Sequence, residues 1–586
     1  MSERINRREF VGAAAVGVAP LLAGLSNGKS LLTNDERALL HTRNGVCDEA
    51  LVEKIASGAI DALDADLIEI SVTGLHALYD AKKYSVSQVV HWYLNRIARY
   101  NPVYRALIHV DTTGALKTAA ALDAAAKASG FKRPALWGVP IVIKSNTSVK
   151  GLVTSAGFYG YVIPGLELVA PADALVVAKL RSAGAVILAQ TNMPDFAASD
   201  TNYSTAYGRT GNAYNVRYSP GGSSGGTVTA VTANLCVLGT GTDTANSIRM
   251  PAATSAVVGV LPTRGLVSIA GITPLDWLRD NTGPIARNVR DTAIALDVMR
   301  GEDLKDFRTK GSAAQAEAGP YTKYLDTKAL NGKRFGVPAF MMDGPPAAGA
   351  TASGRGTPLQ PETRAMFMKA IEEMRAAGAT VVIDDAILPS SFSDLVRAVN
   401  TRPYTGEGTE NFLRDFGPPA YHSTAEYAQA VGVQLPASVR GVNDAGGGRG
   451  ANAAPTTASA PKLIESDPAA EDNFFKPQRI ALAAYDDTME KFKLDGFVYP
   501  AIQMPPNDEL IGLVDGVRSS GPHSNTGWVN SIGVPAIAVP AGFYENGLPF
   551  GLEFSARRWR DGDLLGWSYA YVQATKLRKP PVLQQK

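Results

Sequence analysis

The sequence predicts an α/β protein: a large β-sheet covered by helices on both faces, within one large domain. Three observations carry that expectation. Amphipathic helical segments alternate with short apolar runs of strand length, as they do where strands are buried on both sides. A helix–glycine–strand phrase occurs at 173–182, Gly184 and 185–189, and again at 362–377, Gly378 and 380–383. No period of about 20–50 residues repeats along the chain, which sets aside a solenoid.

Taken in order, the elements begin with a basic head. Arg4, Arg7 and Arg8 precede an apolar, Ala/Gly-rich run over 11–25. Charge followed by about 7–15 apolar residues is the architecture of an export signal. The pair Arg7-Arg8 with Phe10 looks like a twin-arginine address. Residues 1–28 are therefore expected to be an export signal, cleaved before Ser30, that sends the protein to the periplasm or outside the cell. The run is too short for a bilayer, which takes about 20 residues. No later segment is long and apolar enough, so no membrane partner is expected of the mature form.

Ser85 reads as the N-cap of a helix whose apolar face is Val86, Val89, Val90, Tyr93, Leu94 and Ile97, stopped at Asn101-Pro102. An Ala-rich helix over 114–129 ends at Gly130. The run 139–143, Val-Pro-Ile-Val-Ile, reads as a strand that leads into Lys144. Two Gly/Ala/Pro-rich stretches, 343–358 and 441–461, read as surface loops.

Composition excludes several classes of function. Hydrophobic residues at 45% and charged residues at 19% supply a core and argue against disorder. A formal charge of +2 offers no uniform field for a phosphate backbone, so nucleic acid is not expected as a partner. Cys47 and Cys236 are too few for a disulfide scaffold or a zinc cluster. Glycine stands out, with 57 of 586 residues against an ordinary ~7%.

That glycine has a focus at Ser219-Pro220-Gly221-Gly222-Ser223-Ser224-Gly225-Gly226, just ahead of a helical segment over 227–235. A P-loop would end in Gly-Lys-Ser/Thr and a dinucleotide fold would show spaced G-x-G-x-x-G; neither is present. A second polar cluster follows, Gly239-Thr240-Gly241-Thr242-Asp243-Thr244-Ala245-Asn246-Ser247-Ile248-Arg249. Serines among small residues suit nucleophilic attack, with backbone N–H groups facing an oxyanion. None of the six histidines stands near a Gly-x-Ser-x-Gly elbow, so no histidine base suggests itself. A lysine kept neutral by burial is the alternative base. Lys144 at the end of its apolar strand has that setting, although a strand-end lysine by itself is more often a solvated side chain.

Together these three segments resemble the amidase signature family, serine hydrolases with a Ser–cisSer–Lys triad. The Gly-Gly-Ser-Ser-Gly-Gly core stands 24 residues ahead of Ser247 in Gly-Thr-Asp-x-x-x-Ser-Ile-Arg-x-Pro-Ala, and Gly138-Val-Pro-Ile-x-x-Lys144 lies upstream. The likeness continues through Asp173-Ala174, Thr191-Asn192-Met193-x-Asp195-Phe196 and Gly283-Pro284. It resumes at Asn530-x-x-Gly533-Val534-Pro535-Ala536 and at Gly547-Leu548-Pro549-x-Gly551-Leu552. It is dense over about 65–300 and 490–575 and loose over 300–490. The resemblance implies one amidase domain over 29–586 on a large mixed sheet, with a variable insertion at 300–490 that shapes the substrate site.

By the same resemblance, Ser247 is the nucleophile, Ser223 with a cis peptide bond relays the proton, and Lys144 is the general base and acid. Backbone N–H groups of Thr244, Ala245, Asn246 and Ser247 would form the oxyanion hole. No metal and no cofactor are implied. The substrate would be a small linear amide, and the protein a monomer or homodimer. Two alternatives share the chemistry: a glutaminase component of an amidotransferase, and an esterase or carbamate hydrolase of the same family.

The chain departs from the family pattern twice. Ser145-Asn146 stands where Asp most often follows the lysine, and Ala245-Asn246 where Gly-Gly usually precedes the nucleophile. Asn246 is expected to tolerate a left-handed backbone there. Asp243 and Arg249 read as a structural pair bracing the loop. Substrate-binding residues are not readable. Aromatics Tyr404, Phe412, Phe416, Tyr421, Phe474 and Phe475 would suit an apolar or aryl acyl group, with ordinary core packing as the other reading.

Overall fold

A computed structural model describes residues 61–343, 357–441, 462–510 and 522–584. The expected export signal, Cys47 and most of the two Gly/Ala/Pro-rich stretches lie outside the described residues. The strands, in chain order, begin with β1 (Leu107–Val110), β2 (Pro140–Lys144), β3 (Val186–Thr191), β4 (Tyr203–Ser204) and β5 (Gly208–Arg209). They continue with β6 (Leu238–Asp243), β7 (Val258–Leu261), β8 (Asn281–Ala286), β9 (Arg334–Val337) and β10 (Thr380–Ile383). The last are β11 (Gly496–Pro500), β12 (Ala536–Phe543) and β13 (Pro549–Ser555). All but the β4–β5 hairpin join one 11-stranded sheet in the order β1-β3-β2-β6-β8-β7-β12-β13-β11-β9-β10.

The sheet is mixed. β2 runs parallel to β3 and to β6, and β9 parallel to β10 and β11, while the middle from β6 through β8, β7, β12 and β13 is antiparallel. Every residue of β2, β3, β6, β7, β8, β11 and β13 is buried, so both faces of the middle of the sheet are covered. The stretch between the two densely matching halves supplies β9 and β10, which complete one edge.

The helices follow the expected pattern with two differences, the first being that the Ala-rich helix spans Thr112–Ala125, capped by Asp111, and ends short of Gly130. Ser85 caps Val86–Tyr104 in a reciprocal capping box with Gln88. Pro102 does not stop this helix; it sits inside the last turn. A proline that late removes one backbone bond, and burial of Tyr104 together with the Arg105 N–H bond to Asn101 O at 2.7 Å holds the turn closed. The repeated phrases appear as Leu175–Ser182 with Gly184 at φ +87, and Pro361–Ala376 with Gly378 at φ +93. These left-handed glycines end each helix and turn the chain into β3 and β10.

The aromatics of the 385–480 region are core. Phe412, Phe416 and Tyr421 pack with Tyr161, Phe196 and Tyr427, while Tyr404 and Phe474 pack around Leu278 and Ile464. All five are buried, and Phe475 packs against the same Leu278 cluster. Rings that fill the interior do not report on a ligand, so they give no support to an aryl substrate.

Candidate active site

β2 and β6 are neighbours, and their ends bring the three sequence segments together. Lys144 is the last residue of β2 and is fully buried. Its Nζ lies 2.7 Å from Ser223 Oγ, 2.8 Å from Thr242 Oγ1 and 3.1 Å from Ser224 Oγ. It is not a solvated strand-end lysine. Burial pulls its pKa down to about 7, against the partial opposition of the Asp243 and Asp280 carboxylates.

Ser223 stands in the glycine-rich turn, with Gly222–Ser223 in the cis form and Gly221 at φ +74. The crowding there accounts for the glycines. A Cβ on Gly222 would fall 2.6 Å from the carbonyl oxygens of Ser199 and Thr201, and one on Gly226 would fall 2.3 Å from Asn192 O. The turn runs straight into the helix Gly225–Thr232, whose N-cap is Ser224. The Ser224 N–H donates to Ser247 O at 3.1 Å, which ties the two serine segments together.

Ser247 is 5% exposed and follows β6 in the turn that leads to the helix Arg249–Thr254. Among the described residues, none accepts a hydrogen bond from the N–H of Thr244, Ala245, Asn246 or Ser247. The Ile248 N–H is taken by Asp243 Oδ2 at 2.9 Å. Neither Ala245 nor Asn246 has positive φ, which corrects the expectation of a left-handed Asn246. The turn does not need the conformation that glycine favours, so Ala-Asn fits it.

Asp243 and Arg249 form the brace the sequence suggested, with Nε to Oδ2 at 3.1 Å and Nη2 to Oδ1 at 3.2 Å, both side chains fully buried. Burial opposes the charge on Arg249, but Asp243 and Glu553 outweigh it and hold the guanidinium above its ordinary pKa. Glu553, on β13, is pushed up to about 7 by burial in spite of Arg249. Asn530 and Tyr499 also belong to this cluster. Asn146 donates to Thr242 Oγ1 at 3.1 Å, so this departure from the family pattern sets an amide beside the lysine's partner.

Sequence reasoning did not single out Thr242, Ser224 or Glu553, and it noted Asn146 only as a departure from the family pattern. For Glu553 a signal exists: a carboxylate between Leu552 and Phe554 in an otherwise apolar strand requires a buried cationic partner. The other three are polar residues among polar residues, and only the fold shows which touch Lys144. His523 lies 3.8 Å from Asp200 Oδ2, and Asp200 in turn is 3.4 Å from the Asn246 side chain. His109 is buried against Gln190 and Tyr207.

The family model described as Amidase matches residues 88–565. The chain is 30% identical over 516 residues to a glutamyl-tRNA(Gln) amidotransferase subunit of Symbiobacterium thermophilum, covering 86% of this chain and 97% of that protein. Among solved structures, the native peptide amidase of Stenotrophomonas maltophilia superposes with a TM-score of 0.70 at 29% identity, over 88% of this chain and 99% of that one. A bacterial aryl acylamidase of the amidase signature family shares the fold at 22% identity with a TM-score of 0.66, over 87% of this chain and 97% of that one.

Proposed function

The chain belongs to the amidase family, and from that premise we propose that it hydrolyses a linear carboxylic amide to the acid and ammonia or an amine, through an acyl-enzyme on Ser247. The observation that carries the reading is the contact between buried Lys144 and Ser223 at 2.7 Å. A neutral amine has two N–H groups and one lone pair. Thr242 Oγ1 and Ser224 Oγ are placed to accept the N–H groups, which leaves the lone pair for the Ser223 O–H.

Ser247 Oγ then attacks the amide carbon. Its proton passes to Ser223 as Ser223 gives its own to Lys144. Oxyanion charge is met by the N–H groups of Thr244, Ala245, Asn246 and Ser247, each donor contributing about 3 kcal/mol. The proton returns from Lys144 through Ser223 to the leaving nitrogen, and the C–N bond breaks. Water attacks the acyl-enzyme by the same relay, giving up its proton to Lys144 and then restoring the Ser247 hydroxyl. No step needs a metal or cofactor. Esters and carbamates fit the same relay.

Similarity to the Symbiobacterium amidotransferase component favours a second reading, a glutaminase that feeds ammonia to a partner. The export signal read at residues 1–28 speaks for the first, since it implies a periplasmic or secreted enzyme working alone on a small molecule. The assay is turnover of a panel of aryl, aliphatic and peptide C-terminal amides by the purified chain, with a fluorophosphonate to label the nucleophile. Turnover with label on Ser247 is the expected result. Turnover of glutamine alone, and only with a partner protein, supports the second reading.

A further inference from the structure

Each trans peptide unit is planar, with its C=O and the following N–H pointing in opposite directions. Gripping a carbonyl on one side of a turn therefore aims an N–H at the other side. In the turn before Ser247, two carbonyls are gripped by buried side chains. Arg249 Nη2 donates to Ala245 O at 2.7 Å, and Asn530 Nδ2 donates to Asp243 O at 3.0 Å. The N–H groups on the far sides of those peptides belong to Asn246 and Thr244, and no described residue accepts from either. The Thr244 hydroxyl is held as well, donating to Asp280 Oδ1 at 2.5 Å.

The grip depends on the orientation of one guanidinium. On one edge Arg249 meets Asp243 through Nε and Nη2. Nη2 also reaches Asn530 Oδ1 at 2.7 Å. On the other edge, Nη1 donates to Glu553 Oε1, with Thr526 O a longer 3.3 Å away. Glu553 is itself held by the Tyr499 hydroxyl at 2.9 Å. Without the Glu553 carboxylate, the Nη1 edge keeps only the weak Thr526 contact, and the fork is anchored from its Asp243 edge alone. Glu553 and Tyr499 come from the adjacent strands β13 and β11, and Asn530 from the helix Trp528–Ile532. The C-terminal part of the chain thus reaches across to set the turn that precedes the nucleophile.

We propose that Arg249, Asn530 and Glu553 are positioning residues for the oxyanion: by drawing the Ala245 and Asp243 carbonyls inward they aim the Asn246 and Thr244 N–H groups at the substrate, and Glu553 fixes the fork that does so. The inference rests on the amide-hydrolase reading. It assigns Glu553, which touches neither serine, a role in kcat and none in substrate binding.

The test compares Glu553→Ala and Glu553→Gln with the wild type on one amide and on two inhibitors. One inhibitor is a boronic acid that forms a tetrahedral adduct with the nucleophile, and the other is the product carboxylic acid. Glu553→Ala is expected to lower kcat about tenfold or more, with KM changed less than about twofold. Affinity for the boronic acid should fall in the same proportion as kcat/KM, with affinity for the product acid unchanged. Glu553→Gln keeps an oxygen for Nη1 and should recover most of the loss. Equal weakening of both inhibitors, an unchanged kcat in folded Glu553→Ala, or a Gln variant no better than Ala overturns the proposal.

If Glu553→Ala does not fold, Arg249→Lys gives the same reading. An ammonium cannot hold Asp243, Glu553 and Ala245 O together, so kcat and boronic acid affinity should fall with KM kept. An Arg249→Lys variant with unchanged kcat overturns the proposal. A wild type that neither turns over amides nor takes a fluorophosphonate on Ser247 overturns the amide-hydrolase reading and this inference with it. An active wild type with indifferent variants overturns this inference alone.

Discussion

Lys144 and Asn146 meet on a single atom: Thr242 Oγ1 receives the lysine amine at 2.8 Å and the asparagine amide at 3.1 Å. Two residues of one strand end are thereby locked to a residue of its neighbour, β6. The hydroxyl oxygen has two lone pairs, and both are used. The direction of one lysine N–H is fixed, and the lone pair is left for Ser223.

Removing that acceptor should slow the chemistry without disturbing the fold. Thr242→Val has nearly the same shape and leaves a buried N–H of Lys144 without its partner. An unpaired buried donor costs about 1–3 kcal/mol, which corresponds to roughly a five- to 150-fold loss in kcat if it falls on the proton-transfer step. Steady-state kinetics on one amide checks this, with Asn146→Ala giving a smaller loss in the same direction.

The pH dependence follows from Lys144. As the proposed base it must be neutral, and burial brings its pKa down to about 7. The rate kcat/KM should therefore climb with pH through about 7 and level off above it. The linked effect on stability has a definite sign. Between about pH 7 and the ordinary lysine value of 10.5, the unfolded chain holds a proton that the native protein lacks. Stability from this group is therefore lost at low pH and recovered as pH rises through that window. Urea unfolding at pH 7 and pH 9 should show the wild type gaining about 2 kcal/mol relative to Lys144→Met, a variant with no proton to lose.

Crowding in the glycine-rich turn gives a steric prediction. Gly226→Ala would push a methyl against both the N and O atoms of Asn192 and against Ala106 O, all within 2.7 Å. Because all three are backbone atoms, none can swing aside. Overpacking of this kind costs about 1–3 kcal/mol or more. Thermal melting and activity should both fall, since the displaced helix start carries Ser224 and neighbours Ser223.

The buried aromatics yield a prediction that separates packing from specificity. Phe412→Ala removes a ring from the cluster formed with Tyr161, Phe196 and Tyr427. It should cost about 3–5 kcal/mol of stability. The ranking of amide substrates by kcat/KM should stay as in the wild type, because the ring is buried in a core cluster.

Much of the architecture is legible in the sequence because it is local. Ser85, Gly184 and Gly378 mark helix ends by their own chemistry, and the apolar runs before Lys144 and at 185–189 have only one way to be buried. Lys144, Ser223 and Ser247 are legible because the motif spacing is distinctive. What escaped is what depends on distant strands coming together. Pro102 reads as a stop until the burial of Tyr104 is known. Glu553 in its apolar strand calls for a cation, but nothing local points to Arg249, 304 positions earlier. The aromatic residues of the 385–480 region show no periodicity that separates a pocket wall from a core, and only burial decides between them.

The proposed acyl-enzyme on Ser247 can be caught directly. The protein is mixed with an activated ester of a simple acid, quenched in acid within the first turnover, digested, and read by mass spectrometry. The acyl mass is expected on the peptide containing Ser247, absent in Ser247→Ala, and slower to form at pH below about 7, where Lys144 is protonated. An acyl group on another residue, or steady amide turnover by Ser247→Ala, would contradict the assignment of Ser247 as nucleophile.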